Sequence, residues 1–519
     1  MDVPRGGGSL TTANGGAGAN GDNGAPGAGG TGLARQLGLW GLAATGICSM
    51  LGAGINVVPV MIQRSVPAIG ENVLPAFAFG AFPAVLAGLA YAILASAMPR
   101  AGGSYVFASR ALGPYWGFVA SFSQWFGLSI VIGVVSYLVV PFLRDIAGAL
   151  GMAGVAGALD TGPVRVGLAL ALLWTFAWVN LRGLKAYERT VVPLMIVMFA
   201  LGAIVIVAGF SFDQADFAAA LLAQEGVQVP VAAPPPLGPA GFLAAAALLF
   251  ASFVGFDAIA QAGGEARNPN RALPLAIGLA VFIVGAYYLL FTAAVYHTVP
   301  WEFVWARAQE QDLTAPGLLG YVLPPGWTVA IVAGAAIALI NDLPAMILSV
   351  SRLVFAWAED RIFPSGLARV HPTLHTPHAA ILLSTALASV AILGSEWAGD
   401  FFLGVDLMVT SMLVNFIIMC LSVLVLPRRN PEIAANFRVL SRPALRTCVC
   451  VAGIVLLGAF LVTHTWKDLT ADVAAWYFRS TPLWIGVMAL GSLIYVRKMG
   501  TLRASGVDVD RLFRELPPE

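Results

Sequence analysis

The sequence predicts an all-α integral membrane protein with twelve transmembrane helices. Hydrophobic residues make up 59% of the 519 positions and charged residues only 11%, a balance foreign to water-soluble domains. Charge-free runs near the length needed to cross a hydrocarbon core of about 30 Å recur along the whole chain. Two of those runs, SMLGAGIN (residues 49–56) and SFVGFDAI (residues 252–259), are interrupted in mid-span by glycine.

The chain opens on a stretch rich in Gly, Ala and Asn with almost no charge. Residues 1–34 are expected to be a disordered cytoplasmic tail, because such a composition cannot offset its own ordering entropy. It lacks the apolar segment of a signal peptide. The predicted spans then follow at 38–63, 73–98, 114–142, 164–181, 190–210, 240–263, 273–297, 326–356, 378–395, 402–426, 447–465 and 481–496. The fourth and last are short, and the eighth contains Asp342. The Pro-rich stretch 230–239 reads as an outer linker, and Trp301, Trp305, Trp327, Trp397, Trp466 and Trp476 fall near span ends, as interfacial aromatics do.

Twelve spans place both termini on one side. With the N-terminus inside, 22 of the 28 Lys and Arg residues fall on the inner side and 6 on the outer. The positive-inside rule therefore predicts a multi-pass protein of the cell membrane with both termini cytoplasmic. A net charge of +1 gives no electrostatic case for nucleic acid. Cys48, Cys420, Cys448 and Cys450 lie in apolar stretches without metal-ligand spacing, and read as buried structural thiols.

Glycine in a membrane helix frees backbone groups that cannot be left facing lipid. Paired broken helices in corresponding halves of a chain point to the substrate site of a secondary transporter. At Gly52-Ala53-Gly54-Ile55 a restarted half-helix would aim unpaired N–H groups into a cavity, which suits a carboxylate. Small residues in this pattern also mediate close helix packing. In the sixth span, Asp257 stands beside Gly255, and an acid at membrane depth reads first as functional. A hydrogen bond to a neighbouring helix is the structural alternative.

Four ordered blocks carry a family resemblance. FVGFDAIAQAGGEARNPNRALPLAI (253–277) resembles the sixth-span signature of the amino acid–polyamine–organocation (APC) superfamily, in particular its cationic amino acid transporter branch. MPRAGGSYVFASRALGPYWGF (98–118) resembles its loop between spans 2 and 3, VNLRGLKAYER (179–189) its loop between spans 4 and 5, and SRLVFAWAEDRIFPSGLARVHPTLHTP (351–377) the end of its eighth span and the loop that follows, all in the family's order. The resemblance covers most of residues 35–440. It implies the leucine-transporter fold, with spans 1–5 and 6–10 as inverted repeats and helices 1 and 6 discontinuous. The transport core would be 35–430, peripheral helices 11–12 would occupy 431–497, and 498–519 would form a cytoplasmic tail.

By motif position the resemblance implies a substrate site at Cys48, Ser49, Gly52, Ala53, Gly54, Ile55, Phe250, Ala251, Phe253, Gly255 and Asp257. Backbone N–H groups of Ala53, Gly54 and Ile55 would meet a carboxylate, and carbonyls near Cys48, Ser49, Phe250, Ala251 and Phe253 an amino group. The chain also departs from the pattern. Ala251 stands where many members carry an aromatic gate, which would widen the pocket or pass gating to Phe250 or Phe253. Met198 stands where some proton-coupled members carry Lys, and Asn56 where Phe is usual.

Ion coupling is assigned to Asp257, Asp342, Ser349 and Ser351. The two acids would relay protons or hold a cationic substrate group. The serines would offer hydroxyls to sodium, against the ordinary alternative of bonding to the preceding turn. No resident metal is expected. His371, His375 and His378 have suggestive spacing, but Pro372 and Pro377 break any ligand face. No cofactor is implied beyond H+ or Na+ as a coupling ion. The residues lack a phosphate-binding loop and a nucleophile–base pair at one depth, so the chain is not read as an enzyme. The expected activity is amino acid transport by alternating access, coupled to an ion gradient or to exchange, with a mild lean to cationic amino acids. A transporter of polyamines or other organic cations is the alternative, and an integral-membrane enzyme a remote one. Expected partners are a small-molecule substrate and the lipid bilayer.

Overall fold

The computed structural model describes residues 33–231, 233–398, 401–471, 473 and 476–517. Most of the expected N-terminal tail, residues 1–32, lies outside them. Ten described helices are long and apolar enough to cross a membrane, and two shorter apolar helices fall in the first and sixth predicted spans.

The first predicted span is three pieces: α1 (Leu39–Met50), α2 (Ala53–Asn56) and α3 (Val58–Ser65). After α4 (Val73–Ala97) a short helix, α5 (Gly103–Ala111), precedes α6 (Pro114–Ala149). Next come α7 (Ala153–Leu159), α8 (Gly162–Leu181), α9 (Leu184–Ser211) and α10 (Gln214–Glu225). The second broken region is α11 (Pro239–Phe250), a 3-10 turn at Ala251–Phe253, and α12 (Asp257–Gln261). It leads into α13 (Pro269–Thr298), then α14 (Trp301–Glu310), α15 (Ala315–Leu319) and α16 (Pro325–Glu359). The chain closes with α17 (His378–Ala398), α18 (Phe401–Arg429), α19 (Pro431–Ala434), α20 (Pro443–Thr470), α21 (Ser480–Ala504) and α22 (Val509–Leu512).

Proline opens many of these helices, at Pro114, Pro239, Pro269 and Pro443 among others. Its missing N–H costs nothing there and its fixed φ suits the first turn. Helix α10 starts on a reciprocal cap between Asp213 and Asp216 and ends on Gly226 at φ +70°. Reading charge-free runs misses α5, α10 and α14, because these short helices carry charge and turn chemistry rather than an apolar span. It also places Cys448 among buried thiols, whereas that residue is exposed on α20 while Cys48, Cys420 and Cys450 are buried.

Two ion pairs tie the core together. Arg352 of α16 grips Glu265 with Nε to Oε2 at 3.1 Å and Nη2 to Oε1 at 2.6 Å, both side chains being buried. The Glu265 carbonyl accepts from the amides of Gln36 and Leu37, each at 2.9 Å, so the residues before α1 are fastened beside the end of α12. Arg110 of α5 makes a two-pronged pair with Asp360 at the end of α16. The C-terminal segment lies over this second pair. Arg110 Nε donates to the Glu515 carbonyl at 3.0 Å, Arg100 Nε to that of Pro517 at 3.0 Å, and Asn430 Nδ2 to that of Arg514 at 3.0 Å. Phe513 and Val509 are buried beneath it.

Breaking a buried pair from one side leaves an uncompensated charge at a cost of about 3–5 kcal/mol. Arg352→Met and Glu265→Gln are therefore each expected to lower the unfolding midpoint in detergent sharply, the latter because the guanidinium left behind cannot shed its charge; a midpoint equal to wild type in either variant would refute the assignment.

Candidate functional site

The two helix breaks meet. Gly255 adopts φ +137°, and a Cβ there would lie 2.8 Å from the Met50 amide nitrogen and collide with the Ser49 carbonyl. A Cβ on Gly54 would come within 3.0 Å of Ser252 Cα, and one on Gly52 within 3.1 Å of Asp342 Cγ. The glycines thus serve both readings of the motif at once: the backbone leaves the helix, and its neighbours approach closely.

Freed main-chain groups find partners across the gap. The Met50 carbonyl accepts from the Tyr288 hydroxyl, and that of Gly54 from Ser252 Oγ at 2.9 Å. Asn56 Nδ2 donates to the Gly52 carbonyl at 3.3 Å. On the other strand of the junction, the Gly255 amide donates to Asp257 Oδ1 at 3.1 Å.

A cavity of about 40 Å³ opens where the breaks face α6, α16 and α18, several times the room one water needs. Ser49, Gly54, Ala251 and Asp342 line it, among the residues expected there from sequence. Ser252 and Val254 join them from the second break. Val131, Val135, Met346, Val405 and Met408 supply an aliphatic wall. Asp342 is the one charged side chain among these lining residues. It is buried, and its Oδ1 has no hydrogen-bond partner among the described residues; Ser49 Oγ is likewise unpartnered.

The remaining expected residues are placed elsewhere. Phe250 packs on Phe416 and Phe460, each with centroids 6.0 Å away. Phe253 packs on Phe77 at 5.3 Å and Tyr288 at 5.5 Å, so the cavity wall beside Ala251 is aliphatic. Ile55, with Asn56 and Met198, lines a second, much smaller cavity behind the first break. Ala53 opens α2. The Cys48 sulfur accepts from Asn341 Nδ2 at 3.1 Å. Ser351 Oγ donates to the Leu348 carbonyl at 2.9 Å and accepts from Arg352 Nη1, while Ser349 Oγ is buried without a partner among the described residues.

Asp257 points into a polar network instead of lining the cavity. Gln124 of α6 donates to its Oδ2. Gln124 Oε1 accepts from Gln261 and from Asn415, both at 3.3 Å. Asn415 also donates to the Tyr91 hydroxyl at 2.7 Å, which shares a 2.6 Å hydrogen bond with Ser104. Sequence reasoning missed this set, although Gln124 and Asn415 are polar side chains at membrane depth and therefore carry a signal.

A multi-span helical protein whose two interrupted helices enclose a small buried cavity has the build of a membrane transport protein. Residues 37–490 match the amino acid permease family, and the chain belongs to it, within the APC superfamily. The methylthioribose transporter of Bacillus subtilis is 26% identical, over 91% of this chain and 95% of its own length. The branched-chain amino acid permease BcaP of the same organism is 25% identical, over 82% and 89%. Cationic amino acid transporter 4 of Mus musculus is 28% identical, over 70% and 56%.

Gly255→Ala sets a side chain at an unsuitable φ against a neighbouring carbonyl, a strain of roughly 1–3 kcal/mol before any clash. It is expected to lower the unfolding midpoint and abolish transport. Gly458→Ala on α20, where added bulk meets open space, should leave both unchanged; a fully active Gly255→Ala variant would contradict the described junction.

Proposed function

We propose that this permease carries an amino acid across the cell membrane by alternating access, with a lean to cationic amino acids. The observation that carries the proposal is the Asp342 carboxylate, buried on the cavity wall with an unpartnered oxygen. Backbone N–H groups of Ala53, Gly54 and Ile55 would receive the substrate carboxylate, since the first amides of a helix lack intrahelical acceptors. Carbonyls near Ser49 and Ala251 would meet the α-amino group, and Asp342 a side-chain cation.

In this reading the two short apolar helices and the ten long ones make twelve crossings. Residues 35–430 form the core of two inverted repeats, 431–497 the peripheral helices, and both termini are cytoplasmic. One repeat bundle rocks against the other about the junction. A proton or sodium gradient, or exchange, drives it, with Asp342 and Asp257 as acids and Ser349 as the freer of the two serine hydroxyls. A second reading, a neutral branched-chain substrate, is favoured by the Val and Met wall and by the printed activity of BcaP.

Uptake into proteoliposomes separates these readings. Labelled arginine, leucine and spermidine are offered with proton and sodium gradients imposed independently. Saturable arginine uptake is expected, and leucine uptake alone would favour the second reading. Asp342→Asn should raise the KM for arginine about tenfold or more, the worth of one hydrogen bond to a charged group. It should leave that for any neutral substrate nearly unchanged. Asp257→Asn, acting through the polar network, should lower the rate with little effect on KM; transport equal to wild type at every pH would remove Asp257 from coupling.

A further inference from the structure

A second recess, far from the helix junction, has a different chemistry. It measures about 480 Å³ and lies where the start of α6 meets the ends of α18 and α21. Arg429 and Arg503 both line it, together with Tyr115, Trp116 and Tyr495, and no acidic residue is among the lining side chains. The Arg503 guanidinium has no hydrogen-bond or ion-pair partner among the described residues. Arg429 is held by a neutral group: its Nη1 donates to the Leu112 carbonyl at 2.8 Å. Gly113, at φ +114°, lets that guanidinium lie against the turn, since a Cβ would stand 3.2 Å from Nη2.

Two positive groups sharing one recess repel each other unless an anion sits between them. The first-turn amides of α6 add partial positive charge, as Gly113 offers no side-chain cap. Aromatic rings line the recess beside the arginines. The Tyr115 ring lies tilted against Tyr495 at 5.5 Å and edge-on to Trp116 at 5.9 Å, and Trp116 is exposed, as rings at the headgroup level are. Two exposed arginines beside exposed aromatic rings at helix ends match a phosphate group attached to acyl chains better than a free ion, which gains nothing from the rings.

We propose that this recess binds the phosphate headgroup of an anionic phospholipid, with Arg429 and Arg503 as its ligands. Under the orientation proposed above it faces the cytoplasmic leaflet, where anionic lipids are enriched. The site is independent of the substrate cavity, so its failure would leave the transport reading untouched.

Native mass spectrometry of the full-length protein, released from mixed phosphatidylglycerol and phosphatidylcholine micelles, tests the proposal. Phosphatidylglycerol is expected to be retained in preference. Arg503→Gln should weaken retention about fivefold, the contribution of one basic residue near a charged surface, and Arg503→Glu should abolish it. Arg271→Gln, an exposed arginine outside the recess, should retain as wild type does. Each variant's unfolding midpoint without added lipid checks that it is folded. Equal retention of the two lipids, or wild-type retention by both Arg503 variants, would overturn the proposal. Displacement of phosphatidylglycerol by millimolar inorganic phosphate would overturn it too, by assigning the recess to a free anion.

Discussion

A main-chain N–H or C=O group in hydrocarbon has no water to turn to, and leaving one bare costs several kcal/mol. Opening a helix at membrane depth is therefore possible only where partners are built for what is exposed. For the first break two of them come from distant parts of the chain, and for the second one lies two residues on. Tyr288 of α13 and Ser252 of the second break serve carbonyls of the first, and Asp257 serves the amide of Gly255. The Met50 and Gly54 carbonyls of the first break are thus satisfied by groups that reach them only once the helices are assembled, which ties the junction to the packing of the bundle, whereas the Gly255 amide is served locally.

The two buried acids follow different logics under this constraint. Asp257 has both oxygens engaged, one by the backbone it stabilises and one by Gln124. Through Gln124 it is joined to α4, α5 and α18, so it works as a fastening between elements. Asp342 is the opposite case, a carboxylate set against Gly52 with an oxygen to which no described residue donates. Under the proposed function that oxygen is where a substrate cation would arrive.

Much of the architecture was legible from sequence because its causes are local. Apolar run length reports a crossing, and the glycines at 52, 54 and 255 report a break. The polar network was not legible, since Tyr91, Ser104, Gln124, Gln261 and Asn415 come from five elements and no spacing rule links them. Orientation of side chains was equally hidden. Phe250 and Phe253 flank the break in sequence, yet their rings leave for separate aromatic clusters. Ser349 and Ser351 share a helix turn, yet one is tied to its own backbone and an arginine while the other is unpartnered. Motifs locate backbone well, but where a side chain points depends on its non-local neighbours.

The last described residues are fastened in an unusual way. Arg100, Arg110 and Asn430 take hold of carbonyl oxygens at Pro517, Glu515 and Arg514, atoms that every amino acid possesses. Identity at those three positions is accordingly free to drift, whereas the number of residues between α21 and the clasp is not. A one-residue insertion after Ala504 would slide each oxygen out of register by about 3.5 Å, so this end of the chain is measured by length and not by letter.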